Sequence, residues 1–116
     1  MAGAQEVLVS SANRFALMHE LRDEPEWSLR QLLGKLAPVD LVLIEGFKRE
    51  GHPKIEIFRS ANGKPPLHPG DPHIKAIACD VPFPGIDLPQ AHIDDIPAIA
   101  DLSVQLAIPL AAFLEA

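Results

Sequence analysis

Asp40-Leu41-Val42-Leu43-Ile44-Glu45-Gly46 is the stretch from which the fold is read. Four consecutive apolar residues without polar alternation suit a strand buried on both faces, as in a parallel sheet. The run stops abruptly at an acid and a glycine. An apolar strand delivering a carboxylate to its C-terminal end has the form of a Walker B element, in which the acid holds Mg²⁺ directly or through water. Ligands of open α/β sheets bind outside the carboxyl ends of the strands, which points Glu45 at a ligand. Gly46 would let backbone approach a phosphate. The alternative is a strand that simply ends in a solvated carboxylate.

On the N-terminal side, Ser28-Leu29-Arg30-Gln31 fits a capping box, with Ser at the N-cap and Gln three residues on. Leu29, Leu32, Leu33 and Leu36 then follow the spacing of one apolar helix face, and Pro38 ends the helix. Phe15, Met18 and Leu21 recur at helical spacing with Leu17 beside them, predicting a helix over about 14–22 before Pro25. Val7-Leu8-Val9 reads as a buried strand. Ser10-Ser11-Ala12-Asn13 reads as a polar loop that caps the next element, and no nucleophile elbow surrounds its serines.

On the C-terminal side, Lys54-Ile55-Glu56-Ile57-Phe58 alternates, as a strand near a sheet edge does. Residues 59–73, rich in Pro and Gly, form a loop long enough to suggest a role. Ile74-Lys75-Ala76-Ile77-Ala78-Cys79 is a further strand, closed by Asp80-Val81-Pro82. Asp94 or Asp95 caps a last helix with Pro97 in its first turn and Ile96, Ile99 and Leu102 turned inward. Pro109 breaks it, leaving Leu110, Phe113 and Leu114 as an apolar tail. Buried strands alternating with helices imply one α/β domain over 1–116, with a mostly parallel sheet flanked by helices. Its opening strand lacks a preceding partner, so an uncovered sheet edge is expected.

Composition narrows the function. A formal net charge of −6 with scattered basic residues argues against nucleic acid and anionic membrane surfaces. Nothing approaches the ~20 apolar residues of a membrane span, and residues 1–6 have no signal-peptide character. The lone Cys79 suits a reducing compartment, so a cytoplasmic location is expected. His19, His52, His68, His73 and His92 show no metal-ligand spacing, and they read as solvated imidazoles. Lys48-Arg49 could bind a phosphate or an acidic partner, or be a solvated turn. Asp80 could accept hydrogen bonds from a base or from backbone. No G-x-x-x-x-G-K-[ST] is present: Gly34-Lys35 is followed by Leu36, and Gly63-Lys64 by Pro65.

Two segments go further. Asp40 to Lys48, followed by Pro53-Lys54-Ile55-Glu56-Ile57, resembles the hallmark run of the molybdopterin-guanine dinucleotide biosynthesis protein B (MobB) family. Ala2 to Val9, Arg14 to Met18, and Ala76 to Pro82 are similar to it too, in matching order. The resemblance implies a P-loop NTPase-like fold, here without its N-terminal P-loop unit. It also implies a GTP-binding adaptor of molybdenum-cofactor maturation that assists the guanylyltransferase and tends to dimerise. It assigns Glu45 and Gly46 to the Walker B end with Mg²⁺ on Glu45, Lys48 to a phosphate, and Asp80 to a base or ribose. Without the phosphate loop, the chain alone is expected neither to bind GTP tightly nor to catalyse a reaction. A stand-alone module that pairs with a separate P-loop chain or with the transferase is the alternative. A small metal-assisted hydrolase would need paired carboxylates that are not evident.

Overall fold

The computed structural model describes residues 3–115; Met1, Ala2, which opens one of the family-like segments, and Ala116 lie outside them. The chain divides into two compact units, Met1–Leu36 and Ala37–Ala116.

In the first unit β1 (Glu6–Ser10) pairs antiparallel with β2 (Phe15–His19). Ser11 closes the turn between them, donating from its N–H and its hydroxyl to the Arg14 carbonyl at 2.8 and 3.2 Å. The helix predicted over 14–22 is therefore a strand, and the opening strand finds its partner locally. Phe15-Ala16-Leu17-Met18 is apolar at every position, so it fits a period of 3.6 or of 2. The cross-strand pairs Val7–Met18 and Leu8–Leu17 decide for the strand, since pairing and packing outweigh weak local preference. The expected burial of Val7-Leu8-Val9 is not found either: Leu8 and Val9 are exposed, as are Phe15 and Leu17.

The helix α1 (Leu29–Leu33) begins as its sequence dictates. The Ser28 hydroxyl accepts the Gln31 N–H at 3.1 Å, and the Gln31 side-chain oxygen accepts the Ser28 N–H at 2.8 Å. It is shorter than the leucine spacing suggested, and only Leu29 and Leu33 are buried. Leu33→Asp is thus expected to destabilise by several kcal/mol, because an unpaired buried carboxylate is costly. Leu32→Asp, at a position 41% exposed, should cost under ~1 kcal/mol, although the apolar spacing alone points to Leu32 as a severe site. Paired urea denaturation curves check this, and equal midpoint shifts would contradict it.

The second unit is the α/β part. Three parallel strands, β3 (Lys54–Phe58), β4 (Ile74–Cys79) and β5 (Gln90–His92), lie in the order β3-β4-β5. The central β4 is the core, with Ala76, Ile77 and Ala78 fully buried. β3 is an edge strand, as its alternation implied. β5 was not foreseen, since Gln-Ala-His carries no strand pattern of its own. Asp95 caps α2 (Ile96–Leu106), its carboxylate accepting the Ala98 N–H at 3.2 Å, and α2 lies against β4. Ile96 is exposed rather than turned inward, while Ile99 and Leu102 are half-buried. After Pro109, α3 (Leu110–Glu115) resumes the helix.

Residues 41–44, read as a buried strand, adopt no strand, and Leu43 is 76% exposed. A doubly buried strand needs neighbours on both edges and cover on both faces. The sheet of this unit is filled by β3, β4 and β5, none of which pairs with this run. Among the described residues no helix is long and apolar enough to cross a membrane.

Candidate functional site

Residues 46–50 form a tight turn. Gly46 and Phe47 both take positive φ, +87° and +54°, and the Glu50 N–H reaches the Phe47 carbonyl at 3.2 Å. Glycine adopts this conformation without strain; a bulky aromatic rarely does. The turn brings Lys48 and Arg49 to the mouth of a cleft of about 590 Å³, lined also by Lys54, Leu67, Asp71 and His73. Glu45, Gly46 and Asp80 do not line it.

The wall of the cleft is internally satisfied. The half-buried Lys54 ammonium donates to the Glu50 carbonyl and, at 3.0 Å, to the Asp71 carboxylate. The Asp71 carboxylate also accepts the His73 N–H at 2.9 Å. The His73 N–H first, and then Lys54, hold the Asp71 carboxyl below its ordinary range. By contrast, neither Lys48 nor Arg49 has a hydrogen-bond or ion-pair partner among the described residues.

Asp80 ends β4, and its oxygens are already engaged. They accept the Ser60 N–H at 3.0 and 3.2 Å and the Ser60 hydroxyl at 2.9 Å. These contacts, the backbone one first, depress its pKa. Its partner is backbone and hydroxyl of the 59–73 loop. Glu45 is exposed. Among the described residues no group of three or more His, Cys, Asp or Glu side chains lies in a metal-binding arrangement. The residues present do not by themselves fit the magnesium ion that the resemblance implies, and the chain holds no glycine-rich lysine loop for a triphosphate.

Two features were hidden in the sequence. The Glu56 carboxylate, buried on the edge strand, accepts the Leu67 and His68 N–H groups at 2.7 and 2.8 Å and approaches His68 Nδ1 at 3.2 Å. Phe83 stacks edge-on against both His68 and Phe58, at 5.0 and 4.9 Å between centroids. The long loop is thereby pinned to the sheet. The polar position in an alternating strand was the only signal, and alternation assigns it to solvent.

The histidines correct the expectation of solvated imidazoles. The His68 side chain is buried. His52 is buried too, with Nδ1 lacking a hydrogen-bond partner among the described residues and its ring edge-on to Phe113. Burial first, then the Lys54 charge, push the His52 pKa down. His19 bridges two carboxylates, Glu6 at 2.9 Å and Glu24 at 3.1 Å. Both ring nitrogens are used, which favours the doubly protonated ring, and the Glu6 hydrogen bond leads in raising its pKa.

Opposite pH dependences follow. For His19 the folded value exceeds the unfolded 6.5, so the stability it adds is full below pH 6.5 and is lost as pH rises through the folded value. For His52 the folded value is lower than 6.5, so stability is retained above pH 6.5 and falls as pH drops through 6.5 toward the folded value. An NMR titration of the imidazole protons is expected to give midpoints on opposite sides of 6.5. A His19 midpoint below 6.5, or a His52 midpoint above it, would refute the environment described for that residue.

A family model described as "Molybdopterin guanine dinucleotide synthesis protein B" (MobB) matches residues 1–80, and so spans the 40–58 run, the turn at Lys48 and β4. Two curated relatives are both described as "Molybdopterin-guanine dinucleotide biosynthesis adapter protein". The one from Escherichia coli (strain K12) is 39% identical over 107 residues, covering 90% of this chain and 61% of the relative. The one from Haemophilus influenzae (strain ATCC 51907 / DSM 11121 / KW20 / Rd) is 35% identical over 100 residues, covering 86% of this chain and 55% of the relative. The chain thus matches somewhat over half the length of these relatives. With more than half of its residues matched by the family model, the chain belongs to the MobB family.

Proposed function

We propose that the chain acts as an adapter in the synthesis of molybdopterin guanine dinucleotide, working in the cytoplasm with the guanylyltransferase that joins GMP to molybdopterin. The observation that carries this reading is the family match over residues 1–80, together with relatives whose names describe an adapter. An adapter supplies binding and presentation, and bond chemistry belongs to its partner. In this reading Glu45 and Gly46 face the phosphate end of a guanine nucleotide, and Lys48 contacts a phosphate. Asp80 contacts a base or ribose, which requires release of its bonds to Ser60.

Binding to purified guanylyltransferase, followed by isothermal titration calorimetry, tests the adapter role. A saturable heat is expected, and its absence at tens of micromolar of each protein would remove this reading. The same instrument is expected to register no low-micromolar affinity for GTP with Mg²⁺, since the amide cradle and lysine that make most phosphate contacts in such proteins are not in this sequence.

A second reading, a stand-alone module that pairs with another chain, is favoured by the exposed apolar residues of the β1-β2 ribbon, Leu8, Phe15 and Leu17. An isolated two-stranded ribbon is marginal in water, and contiguous exposed apolar surface marks interaction sites. Self-association through a sheet edge, or through Leu110, Phe113 and Leu114, belongs to both readings. Light scattering at micromolar concentration is expected to give a mass of at least a dimer, and a stable monomer would count against it.

A further inference from the structure

We infer that the cleft between the 46–50 turn and the 66–73 loop is a binding site for a phosphate-class oxyanion, gripped by Lys48 and Arg49 with His73 beside them. The inference deepens the adapter reading, on which it rests for the phosphate role of Lys48, by giving that role a place and further residues. Its other supports are independent of that reading.

The first support is charge. The chain carries a net charge of −6, yet this cleft is bordered by three cations, Lys48, Arg49 and Lys54, against two carboxylates, Glu50 and Asp71. Lys54 and Asp71 neutralise each other at 3.0 Å. What is left is a pair of adjacent cations, Lys48 and Arg49, with no protein partner among the described residues, against the single carboxylate of Glu50, so the cleft keeps an excess of one positive charge. Adjacent unpaired cations repel one another, and an anion between them relieves that repulsion while making charge-assisted hydrogen bonds.

The second support is the backbone. Phe47 is held at φ +54° directly after Gly46 at +87°, a conformation a bulky residue resists. Strained residues cluster at active sites and ligand clamps. Here the turn aims Lys48 and Arg49 at the opening formed with Leu67 and His73. Arg supplies a planar fork matched to two phosphate oxygens, and Lys a point charge. A third support is shape. The cleft is an open groove, and its volume of about 590 Å³ exceeds that of a bare phosphate. The Leu67 side of the cleft is apolar, which suits the body of a phosphate ester.

The test is an amide NMR titration of the 116-residue chain with inorganic pyrophosphate and, separately, with phenyl phosphate, at constant ionic strength. Both probes are expected to shift the amides of Lys48 to Glu50 and Gly70 to His73, saturating in the millimolar range. Lys48→Ala with Arg49→Ala should weaken saturation at least tenfold, whereas Lys64→Ala with Lys75→Ala should leave it unchanged. Additional saturable shifts at Leu67 with phenyl phosphate assign the site to an ester; equal behaviour of the two probes assigns it to the free anion, and either supports the inference. Unsaturable shifts, shifts spread over Lys64 and Lys75 as well, or saturation unaffected by the Lys48/Arg49 double variant would overturn it. Pyrophosphate binding without transferase binding would remove the adapter reading and leave the cleft standing; the reverse would remove the cleft alone.

Discussion

Replacing Glu56 by alanine is expected to lower the stability of the chain by about 3–6 kcal/mol, from the loss of two backbone hydrogen bonds to a carboxylate at about 1.5–3 kcal/mol each. The carboxylate is buried on the edge strand β3 and receives three contacts, two from backbone N–H groups of Leu67 and His68 and one from the His68 ring. Hydrogen bonds to a charged group contribute about 1.5–3 kcal/mol each, and the greater penalty comes from donors left buried without an acceptor. Alanine strands both N–H groups. Glutamine keeps one carbonyl oxygen for one of them, so Glu56→Gln should lose only about half as much. The measurement is a urea denaturation series read by circular dichroism, with amide hydrogen exchange at Leu67 and His68 as the local probe. Exchange at those two amides should accelerate in both variants. An alanine variant with the parent midpoint and unchanged exchange would mean that the 59–73 loop is held by something other than this carboxylate.

Ile77→Ala should be nearly as damaging, at about 2–5 kcal/mol. Ile77 is fully buried in the central strand, between Ala76 and Ala78, which are buried as well. The surroundings of a wholly buried side chain relax only partly, so the cost of the residual cavity adds to the lost transfer energy. Ile57→Ala, on the edge strand and 60% exposed, provides the contrast and should cost under about 1 kcal/mol. Stability of a domain this size is only about 5–15 kcal/mol in total. The Ile77 variant should therefore melt well below its parent, and the Ile57 variant close to it. Equal losses at the two positions would mean that β4 is not the centre of the core.

The sequence by itself determined whatever is decided within a few residues. Ser28 and Gln31 cap α1 because donor and acceptor are three positions apart, and Asp95 caps α2 for the same kind of reason. The run Ile74 to Cys79, apolar except for Lys75, reads as a strand and forms one, and family membership was legible in the 40–58 run because its residues recur in order. What depends on a distant partner was decided by tertiary structure. Phe15 to His19 is a strand because Glu6 to Ser10 lies across from it, which no local period reveals. Leu41 to Ile44 has strand chemistry and no strand, because the unit's sheet is built from other segments. Lys48 was legible as a candidate, but its cleft was not, since Leu67, Asp71 and His73 meet it only through the return of the 59–73 loop. That return depends on Glu56, whose carboxylate makes its bonds 11 and 12 residues along the chain. A buried charge tolerates no unmatched neighbour, so it fixes the loop, and the pattern of apolar residues carries no record of it.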